Sequence, residues 1–94
     1  MHYEQFIREG KGTIVDVRSR AEFAGGHVAG SINIPLQEIP QRTDDLRGLE
    51  QPVILCCASG GRSGQAHDFL RANELDCYNA GSWLGVNFIK NNTL

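Results

Sequence analysis

The chain has 94 residues, a net charge of −2, 40% hydrophobic and 21% charged residues. That is ordinary globular composition for a single small domain over residues 1–94, with a modest core, because a chain of this size buries roughly 60–65% of its unfolded surface. The slight acidity argues against nucleic-acid or anionic-membrane partners, and no apolar run is long enough for a membrane helix or a secretory leader, so a cytoplasmic location is expected.

In chain order, Tyr3, Phe6 and Ile7 fall at helical spacing, which predicts a short amphipathic helix over residues 3–9, stopped by Gly10 and Gly12. TIVDV (13–17) is a β-branched apolar run and reads as a buried strand. Ser19 is placed to cap a helical turn through Phe23, ended by Gly25 and Gly26. SINIP (31–35) predicts a short strand closed by Pro35. LQEIPQRTDDLRGL holds one or two short helices around Pro40, and VILCC (53–57) is a second strong strand. ASGG is a tight loop, and Arg62 to Asn73 a helix with Ala66, Phe69 and Leu70 on one face. Cys77 to Asn79 predicts a short strand, Gly81 and Ser82 a turn, Trp83 to Ile89 a last helix, and KNNTL a frayed tail. Strands alternating with helices give an α/β class: a small, mainly parallel sheet flanked by helices.

The three cysteines are Cys56, Cys57 and Cys77. An odd number argues against a disulfide framework, and a bridge between vicinal residues would be strained. No C-x2–4-C pair exists and His2, His27 and His67 are scattered, so no metal and no cofactor are expected. One working thiol in a reducing compartment fits best.

In a parallel sheet, ligands bind at the carboxyl ends of the strands, where VILCC ends and the next helix begins. Between them Ser59, Gly60 and Gly61 put little side chain in the way, so the backbone N–H groups can turn inward as a nest. The helix N-terminus and Arg62 add positive charge. Such a loop suits an anion, or a thiolate whose pKa it lowers. As small hydrophobes, Cys56 and Cys57 could equally be core residues. Their position at a strand end before a glycine-rich, helix-opening loop favours chemistry. Two registers stay open: C-x4-R from Cys57, a loop closing round one sulfur, or C-x5-R from Cys56, a loop with room for a tetrahedral oxyanion.

The sequence resembles the rhodanese family of single-domain sulfurtransferases over nearly its whole length. Asp16, Val17 and Arg18 are similar to that family's first motif. EFAGGHVAGSINIP (22–35) is similar to its second, PVILCCASGGRS (52–63) to its active loop, and YNAGSW (78–83) to the stretch before its last helix. The resemblance implies that Cys57 is the catalytic residue and Cys56 the last strand residue. It also implies that the loop of Ala58, Ser59, Gly60, Gly61, Arg62 and Ser63 binds the substrate. The implied reaction moves sulfane sulfur from thiosulfate or a persulfide donor to a thiol or cyanide through a Cys57 persulfide. Loop amides would hold the outer sulfur, Arg62 would orient the loop and favour the anion, and Ser63 would cap the helix. The Cys57 sulfur should be ionised and reachable from solvent.

Other motif residues read as structural. Asp16 and Arg18 suit an ion pair or loop hydrogen bond, Arg18 and Glu22 are spaced to pair, His27 suits a loop hydrogen bond, Trp83 suits the core and His67 the surface. Ala58 stands where many thiosulfate-using relatives carry arginine or lysine, which favours a glutathione or protein persulfide as donor. The opening strand usual in the family is expected to be absent from residues 1–94, and Asn87 stands where tryptophan is common. Cys77 reads as a buried strand thiol rather than a resolving one. Two rival readings are kept: a cysteine phosphatase or arsenate reductase working from Cys56, and a sulfur-carrier or regulatory module without turnover.

Overall fold

The computed structural model describes residues 2–92. The chain opens with helix α1 (His2–Glu9), followed by strand β1 (Thr13–Asp16) and helix α2 (Arg20–Ala24). Strand β2 (Ile32–Asn33) leads into a 3₁₀ helix (Leu36–Arg42) and helix α3 (Thr43–Arg47). Strand β3 (Val53–Cys57), helix α4 (Gly61–Ala72), strand β4 (Cys77–Ser82) and helix α5 (Trp83–Asn91) complete it. The strands form one sheet in the order β2-β1-β3-β4, with every pairing parallel. The sheet expected to be mainly parallel is wholly so, and the connecting helices cover both faces, as parallel sheets require.

β3 is buried along its whole length, and its alternating side chains build both cores. Val53, Leu55 and Cys57 join Val15, Ala66, Leu70 and Cys77 on the face covered by α4. Ile54 and Cys56 join Ile7, Val28 and Val86 on the face covered by α1 and α5, with Tyr3, Phe6 and Trp83 packed at the edge. The predicted face of α4 holds for Ala66 and Leu70, while Phe69 is 37% exposed.

Three expectations are corrected. β4 runs on through the predicted turn to Ser82, because it spends three residues where β3 spends two: Leu55 pairs Asn79 and Cys57 pairs Ser82. This bulge bends the strand toward the loop after β3. β2 is shorter than SINIP, although Ile34 still donates to the Asp16 carbonyl at 3.0 Å. The tail is helical through Asn91, and Lys90 Nζ donates to the Ala29 carbonyl at 2.9 Å, while residues 93 and 94 lie outside those described. No helix among the described residues is long and apolar enough to cross a membrane.

Candidate active site

The pleat of β3 separates the two vicinal thiols. Cys56 lies on the α1/α5 face, away from the loop. Burial pushes its thiol up to about 12, with the Asp16 carboxylate adding to the rise and Arg18 opposing it. A C-x5-R loop would need that sulfur at its centre, so this register is not built.

Cys57 points to the other face, beneath the loop. Gly60, at φ +104°, takes a left-handed conformation open to glycine and turns its own N–H back toward the strand. That amide donates to Cys57 Sγ at 3.0 Å. The Ser63 amide follows at 3.4 Å and the Ser63 hydroxyl at 3.3 Å. Burial alone would push the thiol up. The Ser63 hydroxyl and the amides of Ser63, Gly60 and Ser59 outweigh it, bringing the group down to about 7. At the N-terminus of α4, the helix dipole acts in the same direction. Two expectations change. Ser63 does not cap α4, whose N-cap is Gly60 without a side-chain bond; buried in the first turn, it donates to the sulfur instead. The Cys57 residue is only 1% exposed, less open than the motif suggests.

Arg62 leaves the loop sideways. Its guanidinium grips the Glu22 carboxylate through two bonds, Nη1 at 2.6 Å and Nη2 at 3.0 Å. Glu22 is fixed from its own side by the capping box of α2: its Oε1 accepts from the Ser19 amide at 3.0 Å, and Ser19 Oγ accepts from the Glu22 amide at 3.2 Å. The Arg62 bonds, then the Ser19 amide, hold its carboxyl down at about 2. The expected Arg18–Glu22 pair is therefore absent. Arg18 instead pairs with Asp16, Nη2 to Oδ2 at 2.8 Å and Nε to both oxygens at 3.0 Å, and donates to the Gly26 carbonyl at 2.7 Å. Trp83 covers this pair, with the Arg18 guanidinium 4.7 Å from its ring. Trp83 thus seals a buried ion pair rather than filling the deep core.

Sequence reasoning did not assign a role to Asn79. The β4 bulge swings its side chain over the loop: Nδ2 donates to the Gly60 carbonyl at 3.2 Å, while Oδ1 accepts from the Gly81 amide at 3.0 Å and from the Ser63 hydroxyl at 2.7 Å. Its signal was the asparagine–glycine stretch at 79–81, read as a motif without a task. Glu22 carried a capping-box signal three residues after Ser19, but its grip on Arg62, 40 residues away, is written in no local pattern.

The remaining candidates lie outside the centre. Ala58 and Ser59 are exposed on the loop. His27 Nδ1 donates to the Phe23 carbonyl at 2.7 Å and its ring stacks on Phe23, the loop bond expected. His67 is half-buried beside Asp68. Cys77 pairs in register with Val53 at the far end of β3, about 13 Å from Cys57 by strand rise. Its thiol donates to the His67 carbonyl at 3.9 Å, and burial pushes it up to about 11. No disulfide with Cys57 can form across that distance.

Comparison with known proteins agrees with this architecture. The Rhodanese-like domain family matches residues 2–90. An uncharacterised Bacillus subtilis protein, YqhL, is 43% identical over 72 residues, covering 74% of this chain and 56% of its own length. The Escherichia coli thiosulfate sulfurtransferase PspE is 37% identical over 57 residues, covering 60% of this chain and 55% of its own. The chain therefore spans little more than half the length of either. The crystal structure of a Staphylococcus aureus rhodanese-like domain protein superposes with a TM-score of 0.75 at 28% identity, covering 90% of this chain and 83% of that one.

Proposed function

The chain belongs to the rhodanese-like domain family, which matches residues 2–90, and on that premise we propose that it is a sulfurtransferase working through a persulfide on Cys57. The observation that carries the reading is the convergence of the Gly60 amide and the Ser63 amide and hydroxyl on one sulfur. With its thiol lowered to about 7, a large share is ionised at neutral pH without a general base.

The thiolate attacks the outer sulfur of the donor. A new bond forms to Cys57 Sγ while the donor's sulfur–sulfur bond breaks, and the electron pair departs with sulfite from thiosulfate or with a thiolate from an organic persulfide. The charge then sits on the outer sulfur of Cys57. The amides of Gly61 and Arg62, in the first turn of α4, have no carbonyl partner within the helix and are available to hold it. An acceptor thiolate, or cyanide in the assay, takes that sulfur and restores the Cys57 thiolate. Ala58 leaves the loop's entrance without the positive charge that would attract a small dianion, so a glutathione or protein persulfide suits it as donor. Three free thiols suit a reducing, cytoplasmic setting.

The test is intact-protein mass spectrometry after exposure to thiosulfate and to cysteine persulfide. The wild-type chain and Cys56→Ser gain the mass of one sulfur atom, and Cys57→Ser gains none. Loading that survives Cys57→Ser and disappears in Cys56→Ser sinks the reading.

A further inference from the structure

The loop contributes one charged side chain, Arg62, and the structure spends it on Glu22. The carboxylate takes both terminal nitrogens of the guanidinium, and is itself locked in place by the Ser19 amide. The neighbouring guanidinium, Arg18, is spent in the same way on Asp16. These groups interact with one another and with the cysteines: Arg62 feels Glu22, Cys57 and Asp16, and Arg18 feels Asp16, Glu22 and Cys56. Two carboxylates and two guanidiniums cancel, which leaves the Cys57 thiolate as the unbalanced charge. A doubly charged donor approaching it meets repulsion that no free side-chain cation in this cluster offsets.

We propose that Glu22 is a specificity-determining residue: by gripping Arg62 it withdraws the loop's only positive side chain from the incoming donor, turning the site away from thiosulfate and toward the singly charged end of an organic persulfide. The inference rests on sulfur transfer through Cys57 and adds to it the charge class of the donor. The balance of the step is unchanged: the Cys57 thiolate bonds to the outer sulfur, and the donor leaves as a thiolate carrying the electron pair.

Glu22→Gln is the informative variant, because an amide oxygen can still accept from Ser19 while the charge that binds Arg62 is gone. Freed, the guanidinium can make charge-assisted bonds to the sulfonate oxygens of thiosulfate. In cyanide-coupled turnover the KM for thiosulfate should fall about tenfold, equivalent to about 1.4 kcal/mol, with kcat little changed. The KM for cysteine persulfide should fall by much less. The gain should vanish in Glu22→Gln/Arg62→Met. A thiosulfate KM that stays the same or rises in Glu22→Gln overturns the proposal. So does a gain that persists without Arg62.

The wild-type chain supplies a second readout should the variant not fold. Its kcat/KM for thiosulfate should rise as added salt shortens the Debye length from about 30 to about 10 Å, since like charges are then screened; a fall would mean that a free cation attracts the donor, and would overturn the proposal. If Cys57→Ser still takes up sulfur, the underlying transfer reading has failed. If Cys57 loads normally while the KM and salt responses are absent, only the role of Glu22 has.

Discussion

Ser63→Ala removes one hydroxyl from beneath the loop and tests how the thiolate is held. Ser63 is fully buried, and its Oγ lies 3.3 Å from Cys57 Sγ. A hydrogen bond to a charged group contributes roughly 1.5–3 kcal/mol, and one pKa unit corresponds to about 1.4 kcal/mol, so losing the bond outright would raise the thiol by about one to two units. The same hydroxyl has a single proton and also sits 2.7 Å from Asn79 Oδ1, so the sulfur receives only part of it. The lower end of the range applies, and Cys57 should move from about 7 to about 8. At pH 7 its ionised fraction would fall from about one half to about one tenth. The rate of alkylation by iodoacetamide, followed against pH, reads this midpoint directly. Cys56 and Cys77, pushed up to about 12 and about 11, stay protonated through the range and do not contaminate it. A midpoint within about 0.2 unit of the wild type, in a variant that unfolds cooperatively, would refute the reasoning. The Ser63 proton would then belong to Asn79, and the amides alone would hold the thiolate.

Two further outcomes follow from the buried charges. Asp16→Ala leaves the Arg18 guanidinium, 5% exposed, without its carboxylate and should cost about 3–5 kcal/mol in urea denaturation; a loss below about 1 kcal/mol would show that water or Gly26 replaces the carboxylate. The Cys57 thiol is lowered from its ordinary 9.0 to about 7, so ionisation favours the folded state, fully above the unfolded value and progressively less as pH falls from about 9 through about 7. Two units would correspond to about 2–3 kcal/mol, reduced by solvent screening at the loop to about 1–2 kcal/mol. The stability of the wild type relative to Cys57→Ser should therefore rise by that amount from about pH 6 to about pH 10, most of it between the two thiol midpoints, and a flat or falling difference would contradict the assigned hydrogen bonds.

The parts of this site legible in the sequence are those that one element specifies on its own. VILCC declares a buried strand, the glycines after it declare a turn without bulk, and their order fixes a helix N-terminus over the strand's end. Ser19 announces the start of α2 by its residue type. What could not be read is what side chains do after separate elements meet. Arg18 and Glu22 have the spacing of a helical pair, yet Arg18 precedes α2 and folds back on Asp16 two residues away, while Glu22 turns outward to a residue of α4. Ser63 has the residue type of a cap but enters the helix in its first turn, where its hydroxyl finds sulfur. The extension of β4 depended on a register shift against β3, invisible until both strands are laid side by side.

The contrast between the adjacent cysteines shows how little chemistry must be specified once topology is set. The residues have the same side chain, share one strand and are both almost wholly buried, yet one thiol is lowered to about 7 and the other raised to about 12. Burial opposes ionisation in both. The difference arises because the pleat sends one sulfur beneath the first turn of α4, where N–H groups lack carbonyl partners, and the other toward the α1/α5 core, where the carboxylate of Asp16 is the nearby anion. A one-residue slip of β3 would turn each of them to the opposite face. Which thiol is lowered is thus selected by register, and the parallel pairing of Thr13 through Asp16 with Val53 through Cys56, which fixes that register, decides which sulfur ionises as much as any residue of the loop does.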